Sequence, residues 1–270
     1  MSHVPLGSNV MHGPGYFIPA GWPWETAQTQ FEMAERIAKN RGLTREMTDT
    51  LAFESQRRAK IAWDEGRFDR ETFAVEAPVL GEDGKPTGAT RKVTRDQGLR
   101  DTTMAGLAAL KPMLPDGITT AGSSSQVSDG AAAVLWMSAE EAKKRGLKPR
   151  ARIVADCLVG ADPYYGLDGP VDATARLLKR SGMKMGDIDL FEVNEAFASV
   201  VLRFMRRFDL PHEKVNVNGG AIAMGHPLGA TGAMILGTVR DELERRNLST
   251  ALVTLCVGAG MGTATIIERV

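Results

Sequence analysis

Apolar and polar residues along the second half of the chain follow two patterns, the spacing of amphipathic helices and the short apolar runs typical of buried strands. They predict helices over residues 140–145, 171–181, 196–208 and 233–246, strands over residues 150–159, 188–193 and 214–218, and a strand–turn–strand unit over residues 251–268. Helices that alternate with strands indicate an α/β layer built on a mixed sheet.

The first half of the chain has a different pattern. Residues 1–23 are rich in Gly and Pro and predict an ordered loop, whereas helical spacing covers residues 26–40 and about 44–66. A polar break at residues 81–86 predicts a hairpin, and residues 95–114 are charged at first and apolar later. Small polar residues at 118–130 predict a turn, and the apolar run 131–137 predicts a buried element.

Composition narrows the class of protein. A chain of 270 residues that is 43% hydrophobic and 24% charged fits one large or two medium globular domains. The net charge of +0 favours neither a nucleic-acid nor an anionic-membrane partner. Two cysteines make neither a disulfide framework nor a metal cluster, and no apolar run is long enough for a bilayer. With no export signal in residues 1–20, we expect a reducing, cytoplasmic setting.

Residues 216–233 carry the densest turn signal of the chain. Five glycines and Pro227 surround His226, between a predicted strand and a predicted helix. Amides at the start of a helix favour negative charge, so the histidine could serve as a base or beside an anion. A purely structural histidine in a tight connection is the other interpretation.

Two more stretches place reactive side chains at strand ends. Cys256 ends the first strand of the closing unit, directly before a glycine-rich turn, and Asn194 lies where a short strand gives way to a helix. Asn194 could equally be the cap of that helix. Residues 258–262 fall one residue short of a Gly-x-Gly-x-x-Gly fingerprint, and no Walker motif is present, so nucleotide binding is disfavoured.

These three blocks together resemble the thiolase family. Residues 225–232, Gly-His-Pro-Leu-Gly-Ala-Thr-Gly, are similar to its histidine motif, residues 194–197, Asn-Glu-Ala-Phe, to its asparagine motif, and residues 256–260, Cys-Val-Gly-Ala-Gly, to its C-terminal cysteine motif. The resemblance implies a layered α-β-α-β-α fold. It divides this chain into a loop domain over residues 1–118, the last segment of the N-terminal domain over 119–148 and the C-terminal domain over 149–270.

The resemblance also implies a reaction, the reversible thiolytic cleavage of 3-ketoacyl-CoA or the reverse Claisen condensation. Coenzyme A is then a substrate, with no metal or other cofactor, and a homodimer or homotetramer is expected. The resemblance implies that His226 is a base and an oxyanion donor and that Cys256 is a second acid/base of near-neutral pKa. It implies that Asn194 holds a water and that the amide of Gly258 belongs to an oxyanion hole. Arg100 and Ser125 are implied to contact coenzyme A. Arg100 could instead be a solvated surface residue.

Some positions depart from the family pattern. The family's acyl-carrying cysteine belongs to a preceding half, and Cys157, inside an apolar strand, is expected to be buried and inert. We therefore expect the nucleophile to be missing from this chain and apolar faces such as residues 131–137 to lack cover. A non-catalytic thiolase-like subunit or acyl-CoA-binding module is the alternative function. Ala259 stands where the family has glycine, and residues 123–126 are Ser-Ser-Ser-Gln where it has Asn-Ala-Ser-Gly.

Overall fold

The computed structural model describes residues 29–258 and 260–270. The predicted loop over residues 1–23, the family-like segment 2–7, the first residues of the helix predicted from 26, and Ala259 lie outside the described residues. The helices are α1 Gln30–Asn40, α2 Arg45–Asp64, α3 Met104–Ala108, α4 Ala139–Lys144, α5 Gly169–Ser181, α6 Ala198–Phe208, α7 Ala221–Met224 and α8 Leu228–Arg246. The strands are β1 Val75–Leu80, β2 Pro86–Val93, β3 Ala151–Gly160, β4 Leu190–Val193, β5 Thr250–Val257 and β6 Met261–Arg269.

A four-stranded mixed sheet carries the second half of the chain. Its strand order is β3-β6-β5-β4, with β4 parallel to β5 and the other neighbours antiparallel. Val193 pairs with Thr254 in the parallel ladder, and the chain continues from these two residues toward Asn194 and Cys256. Parallel strands have their carboxyl ends at one edge of the sheet. The asparagine and cysteine motifs therefore leave the sheet on the same side.

Helices cover both faces of this sheet at β4 and β5, because the residues of these two strands are mostly apolar on both sides. Leu190 and Ala251 belong to a core cluster with Val239 and Leu243 of α8. Phe191, the next residue of β4, belongs instead to the cluster formed with α2, α5 and α6. The mixed sheet and the helices packed on it confirm the predicted α/β layer.

Polar side chains begin the first two helices. Thr29 and Thr44 are the N-caps of α1 and α2, and their hydroxyls accept hydrogen bonds from the amides of Glu32 and Met47. The predicted helices over these segments are confirmed in the part of the chain described. The hairpin expected around residues 81–86 is β1 and β2, paired in antiparallel fashion.

The prediction of a buried element over residues 131–137 is wrong for this chain. The segment forms no helix or strand, and Leu135 is 75% exposed. Trp136, the next residue, is exposed as well. Burial was inferred from apolar composition, and composition does not reveal whether a covering element is present.

The strand predicted over residues 214–218 is also wrong. Residues His212–Lys214 form a 3-10 turn, and Val215 makes only an isolated parallel bridge with Phe191. Asn216 then takes a left-handed φ of 47°, which ends an extended run. Its side-chain amide bonds to both the N–H and the C=O of Val193, at 2.8 Å each, and so replaces a strand neighbour of β4.

Helix α8 begins at Leu228, five residues before the predicted start at 233. Pro227 precedes it. Proline suits the start of a helix because its φ is fixed and because an N–H there would have no acceptor within the helix.

Among the described helices, none is long and apolar enough to cross a membrane.

Candidate active site

Asn194 is the first residue after β4. Its backbone N–H donates to the carbonyl of Thr254 at 3.0 Å, which extends the ladder with β5 by one bond, and its side chain is 2% exposed. Helix α6 begins only at Ala198, with Phe197 at the N-cap position. Asn194 is therefore not the helix cap, and its amide is available for another purpose.

His226 lies in the turn between α7 and α8, not between a strand and a helix as predicted. Its backbone N–H donates to the carbonyl of Gln126 at 3.0 Å. Gly225, with a φ of 96°, turns the chain here, and a Cβ at this position would come within 2.7 Å of Ser128 Cβ. Glycine is thus required by conformation and by space.

The side chains of Asn194 and His226 are in contact. His226 Nε2 is 3.3 Å from Asn194 Nδ2, and His226 Nδ1 is 2.7 Å from the hydroxyl oxygen of Thr231 on α8. The network assigns the proton to Nδ1, which donates to Thr231, so that Nε2 accepts from the asparagine amide. Asn194 Oδ1 is then buried without a hydrogen-bond partner among the described residues.

Burial lowers the pKa of His226 below its usual value of 6.5. The imidazole is therefore neutral at pH 7 and has one nitrogen lone pair available. A neutral imidazole beside an amide N–H can accept a proton at Nε2. In the other tautomer it donates from the same atom.

Cys256 was predicted to end β5 and lies one residue before the end of that strand, where it pairs with Gly262 of β6. It packs in an apolar cluster that includes Ala196 and Phe197, the residues that follow the Asn194 turn. Burial raises the pKa of its thiol to about 12. The expectation of a near-neutral pKa is wrong for this structure, because the apolar cluster disfavours the thiolate.

Gly258 follows the end of β5 and is exposed, with no atom within 4 Å of a Cβ built on it. Its backbone is therefore accessible at the same end of the sheet as Cys256. The role of its amide in an oxyanion hole stays a prediction, and the neighbouring Ala259 lies outside the described part of the chain.

The segment 124–126 connects the asparagine turn with the histidine turn. Ser125 N–H donates to the carbonyl of Ala196 at 3.0 Å, while the carbonyl of Gln126 accepts from His226. The Gln126 side chain donates to the carbonyls of Gly98 and Ile222, at 2.7 and 3.0 Å. Ser125 is thus half-buried between the two turns, which this segment joins through its backbone, while the Gln126 side chain joins Gly98 to α7.

Arg100 is exposed, and its position is fixed through its backbone. Its N–H donates to the side-chain oxygen of Gln56 at 3.0 Å, and Gln56 in turn donates to the carbonyl of Ile222 in α7. Its guanidinium forms no hydrogen bond or ion pair within residues 29–258 and 260–270. The structure thus brings Ser125, Asn194 and His226 together and leaves Arg100 at the surface.

Glu195 is a residue of the site whose role the sequence analysis missed. Its carboxylate, 1% exposed, accepts from Ser55 at 2.6 Å, from Asn216 at 3.0 Å and from the N–H of Ile222 at 3.1 Å. Burial raises the pKa of Glu195, and the three hydrogen bonds oppose that rise. This carboxylate joins α2, the Asn194 turn and α7, which precedes His226. The only signal in the sequence was its place directly after Asn194.

Cys157 lies within β3, paired with Ala264 of β6, and is 4% exposed. It belongs to a different core cluster from Cys256. This placement agrees with the predicted buried thiol. The expectation that the acyl-carrying nucleophile is missing from this chain stays a prediction. No group of His, Cys, Asp and Glu side chains able to hold a metal ion occurs among the described residues.

Comparison with known proteins connects this geometry to a family. Residues 147–269 match the family model described as "Thiolase, C-terminal domain", and residues 22–140 match "Thiolase, N-terminal domain". A curated 3-ketoacyl-CoA thiolase of Idiomarina loihiensis is 41% identical over 276 residues, which cover 100% of this chain and 69% of the relative. A Bacillus subtilis protein of the same name is 42% identical over 272 residues, 99% of this chain and 69% of the relative.

Solved structures agree with these relatives. The Bacillus anthracis acetyl-CoA acetyltransferase has a TM-score of 0.85 and 38% identity, over 90% of this chain and 60% of that one. Human mitochondrial 3-ketoacyl-CoA thiolase has a TM-score of 0.80 and 38% identity, and the match covers 88% of this chain and 59% of the human chain. The fold and the paired motifs define a layered α/β protein with a histidine–asparagine site. The chain belongs to the thiolase family, and it spans about 60% of the solved structures and 69% of the curated relatives.

Proposed function

We propose that this protein is a thiolase-type acyltransferase that cleaves a 3-ketoacyl-CoA into acyl-CoA and acetyl-CoA, or catalyses the reverse condensation. The observation that carries the proposal is the 3.3 Å approach of His226 Nε2 to Asn194 Nδ2, with His226 Nδ1 held by Thr231. Two polar groups are thus fixed side by side in a half-buried turn. An arrangement of this kind can stabilise the oxyanion of a thioester enolate.

His226 and Asn194 share this role. His226 first takes up a proton at Nε2 and then donates that N–H to the enolate oxygen, while Asn194 Oδ1 accepts from a water that supplies the second donor. The neutral imidazole can also take the proton of the nucleophilic thiol. Gly258 contributes its amide to a second oxyanion hole. These roles are consistent with a histidine whose pKa is lowered by burial.

Cys256 handles the α-carbon proton. Because burial raises its pKa to about 12, the thiol is protonated at rest and starts cleavage as an acid. When the carbon–carbon bond breaks, Cys256 gives its proton to the enolate of acetyl-CoA and becomes a thiolate. The thiolate then takes the proton of the incoming coenzyme A thiol. The cysteine thus ends the cycle as it began.

Coenzyme A contacts are assigned to Arg100 and Ser125. The exposed Arg100 guanidinium suits the nucleotide phosphates, and Ser125, half-buried beside the Asn194 turn, suits the pantetheine arm. The acyl-carrying thiol, the domain division at residues 118 and 148, a homodimer or homotetramer and a cytoplasmic location all remain predictions.

The test is exchange of the α-protons of acetyl-CoA in deuterated water, followed by mass spectrometry. This half-reaction needs the Cys256 thiolate and the oxyanion pair but not the acyl-carrying thiol. We expect wild-type exchange above background, and a loss of at least about a hundredfold in His226→Ala and Cys256→Ser. Cys157→Ser is the matched control and should leave the rate unchanged.

The pH dependence sharpens this test. Since the pKa of Cys256 is about 12, the thiolate fraction and the Cys256-dependent rate should rise about tenfold per pH unit between pH 7 and 10. The rate seen with Cys256→Ser is subtracted at each pH. Binding of acetyl-CoA without any Cys256-dependent exchange would contradict the catalytic proposal.

A further inference from the structure

A surface cavity of about 300 Å³ opens between α2 and the end of α8, where four arginines converge. Its charged lining consists of Arg57, Arg58, Arg67, Arg246 and a single carboxylate, Glu213. The chain as a whole has a net charge of +0, so this is a local excess of positive charge. None of these residues has a role in the acyltransferase proposed above.

The two inner arginines are held rigidly. Arg58 Nη1 donates to the carbonyls of His212 and Val215, at 2.9 and 2.8 Å, and Arg67 Nη1 donates to Asn218 Oδ1 at 2.8 Å. Their side chains are only 13% and 14% exposed. Guanidinium groups fixed in this way lose little further rotamer entropy when they bind an anion.

The two outer arginines keep donors available. Arg57 donates Nε and Nη2 to Glu54, at 2.9 and 2.8 Å, and Arg246 donates Nε to Glu242. Arg57 Nη1 and both Nη atoms of Arg246 have no partner within residues 29–258 and 260–270. These donors of Arg57 and Arg246 lie on the more exposed side chains of the lining.

The neighbouring carboxylates are shared between arginines. Glu54 pairs with both Arg57 and Arg58, and Glu242 pairs with both Arg245 and Arg246. With Arg245 included, five arginines thus meet the four carboxylates Glu54, Glu65, Glu213 and Glu242, which leaves one positive charge in excess, and Glu65 is itself 55% exposed. The cavity has both the charge and the donors to take up an anion.

We propose that this cavity binds a small anion that carries at least two negative charges on phosphate groups. Planar guanidinium forks match the oxygen spacing of phosphate, and several forks around one cavity favour a diphosphate over a monovalent anion. A volume of about 300 Å³ accommodates such a group and is at the small end of ligand pockets. Neither Arg100 nor Ser125, to which the coenzyme A contacts are assigned, lines this cavity.

The test is calorimetric titration of the chain with inorganic diphosphate at two salt concentrations. We expect saturable binding at one site that weakens at high salt. The double variant Arg57→Gln/Arg246→Gln should raise the Kd at least about tenfold, since it removes two charges and the available donors. Both side chains lie at the surface, and thermal melting checks that the variant remains folded.

Two matched controls locate the site. Arg152→Gln removes an arginine that pairs with Glu268 on the opposite edge of the sheet and should leave the Kd unchanged. Arg100→Gln should also leave diphosphate binding unchanged, even where it weakens coenzyme A binding. The proposal is overturned by the absence of diphosphate binding in the wild type, by equal binding in Arg57→Gln/Arg246→Gln, or by loss of binding only in Arg100→Gln.

Discussion

Thr231 decides which nitrogen of His226 faces Asn194. Its hydroxyl oxygen, 2.7 Å from Nδ1, is 1% exposed and belongs to the first turn of α8. A threonine fixed by its helix holds the imidazole ring in one orientation. The histidine therefore depends on a residue five positions further along the chain.

We predict that Thr231→Val lowers the rate of acetyl-CoA exchange by at least about tenfold. Valine keeps the volume and the branching of threonine but leaves Nδ1 without its partner, so the ring loses its fixed orientation and tautomer. The exchange assay measures the rate, and equilibrium binding of acetyl-CoA should change much less.

Thr174→Val is the control for this prediction. Thr174 of α5 is fully buried, and its hydroxyl has no partner among the described residues. Removing that hydroxyl should leave exchange unchanged and stability equal or higher. Equal exchange rates in the two variants would show that Thr231 does not position the imidazole.

For single residues, the sequence indicated the side chains proposed to react better than those that hold them in place. His226 and Asn194 stood out because each lies in a compact local motif. Glu195 did not, because its partner Ser55 is 140 residues away in the chain and buried carboxylates are rare. The raised pKa of Cys256 was missed for the same reason, since it depends on how the chain packs around the thiol.

At the scale of helices and strands, a close contact between α5 and β6 determines how near this helix packs to the sheet. Gly169, the first residue of α5, lies directly against Gly262 of β6, and a Cβ on either residue would overlap the backbone of the other strand or helix. Gly262 is also the cross-strand partner of Cys256. The contact between helix and strand thus lies beside the end of β5 that carries Cys256.

We predict that Gly262→Ala destabilises the protein by about 1–3 kcal/mol, because the added methyl group must push α5 away from β6. Urea unfolding measures the difference. Gly232→Ala in α8 is the matched control: no atom lies within 4 Å of its Cβ, and alanine in a helix should stabilise by up to about 1 kcal/mol. A Gly262→Ala protein as stable as Gly232→Ala would rule out this account of the contact.

Most helices and strands could be predicted from the sequence because their periodic patterns are long. The closing hairpin and helices α2, α5 and α6 were found close to their observed bounds. The strand expected over residues 214–218 failed because the side chain of Asn216, and not a backbone strand, bonds to Val193. A tertiary hydrogen bond of this kind has no local signature.

In the molecule as a whole, the candidate site depends on segments far apart in the chain. Asn194 follows β4, His226 follows α7, Cys256 lies near the end of β5, and residues 124–126 join the first two. The sequence indicated the family from three motifs, yet not that the backbone of residues 125 and 126 would join the asparagine turn to the histidine turn. Burial in the core has a similar limit. Leu135 and Trp136 are exposed although they lie in an apolar run, because the run alone does not show which element would cover it.

The central claim is that His226 and Asn194 together polarise the carbonyl of a bound acyl-CoA thioester. The most direct measurement is the infrared carbonyl stretch of isotope-labelled acetyl-CoA bound to the protein. We predict a lower frequency than for acetyl-CoA in water, and a return toward the free value in His226→Ala and in Asn194→Leu. A bound carbonyl with the frequency of the free thioester in the wild-type protein would contradict the account.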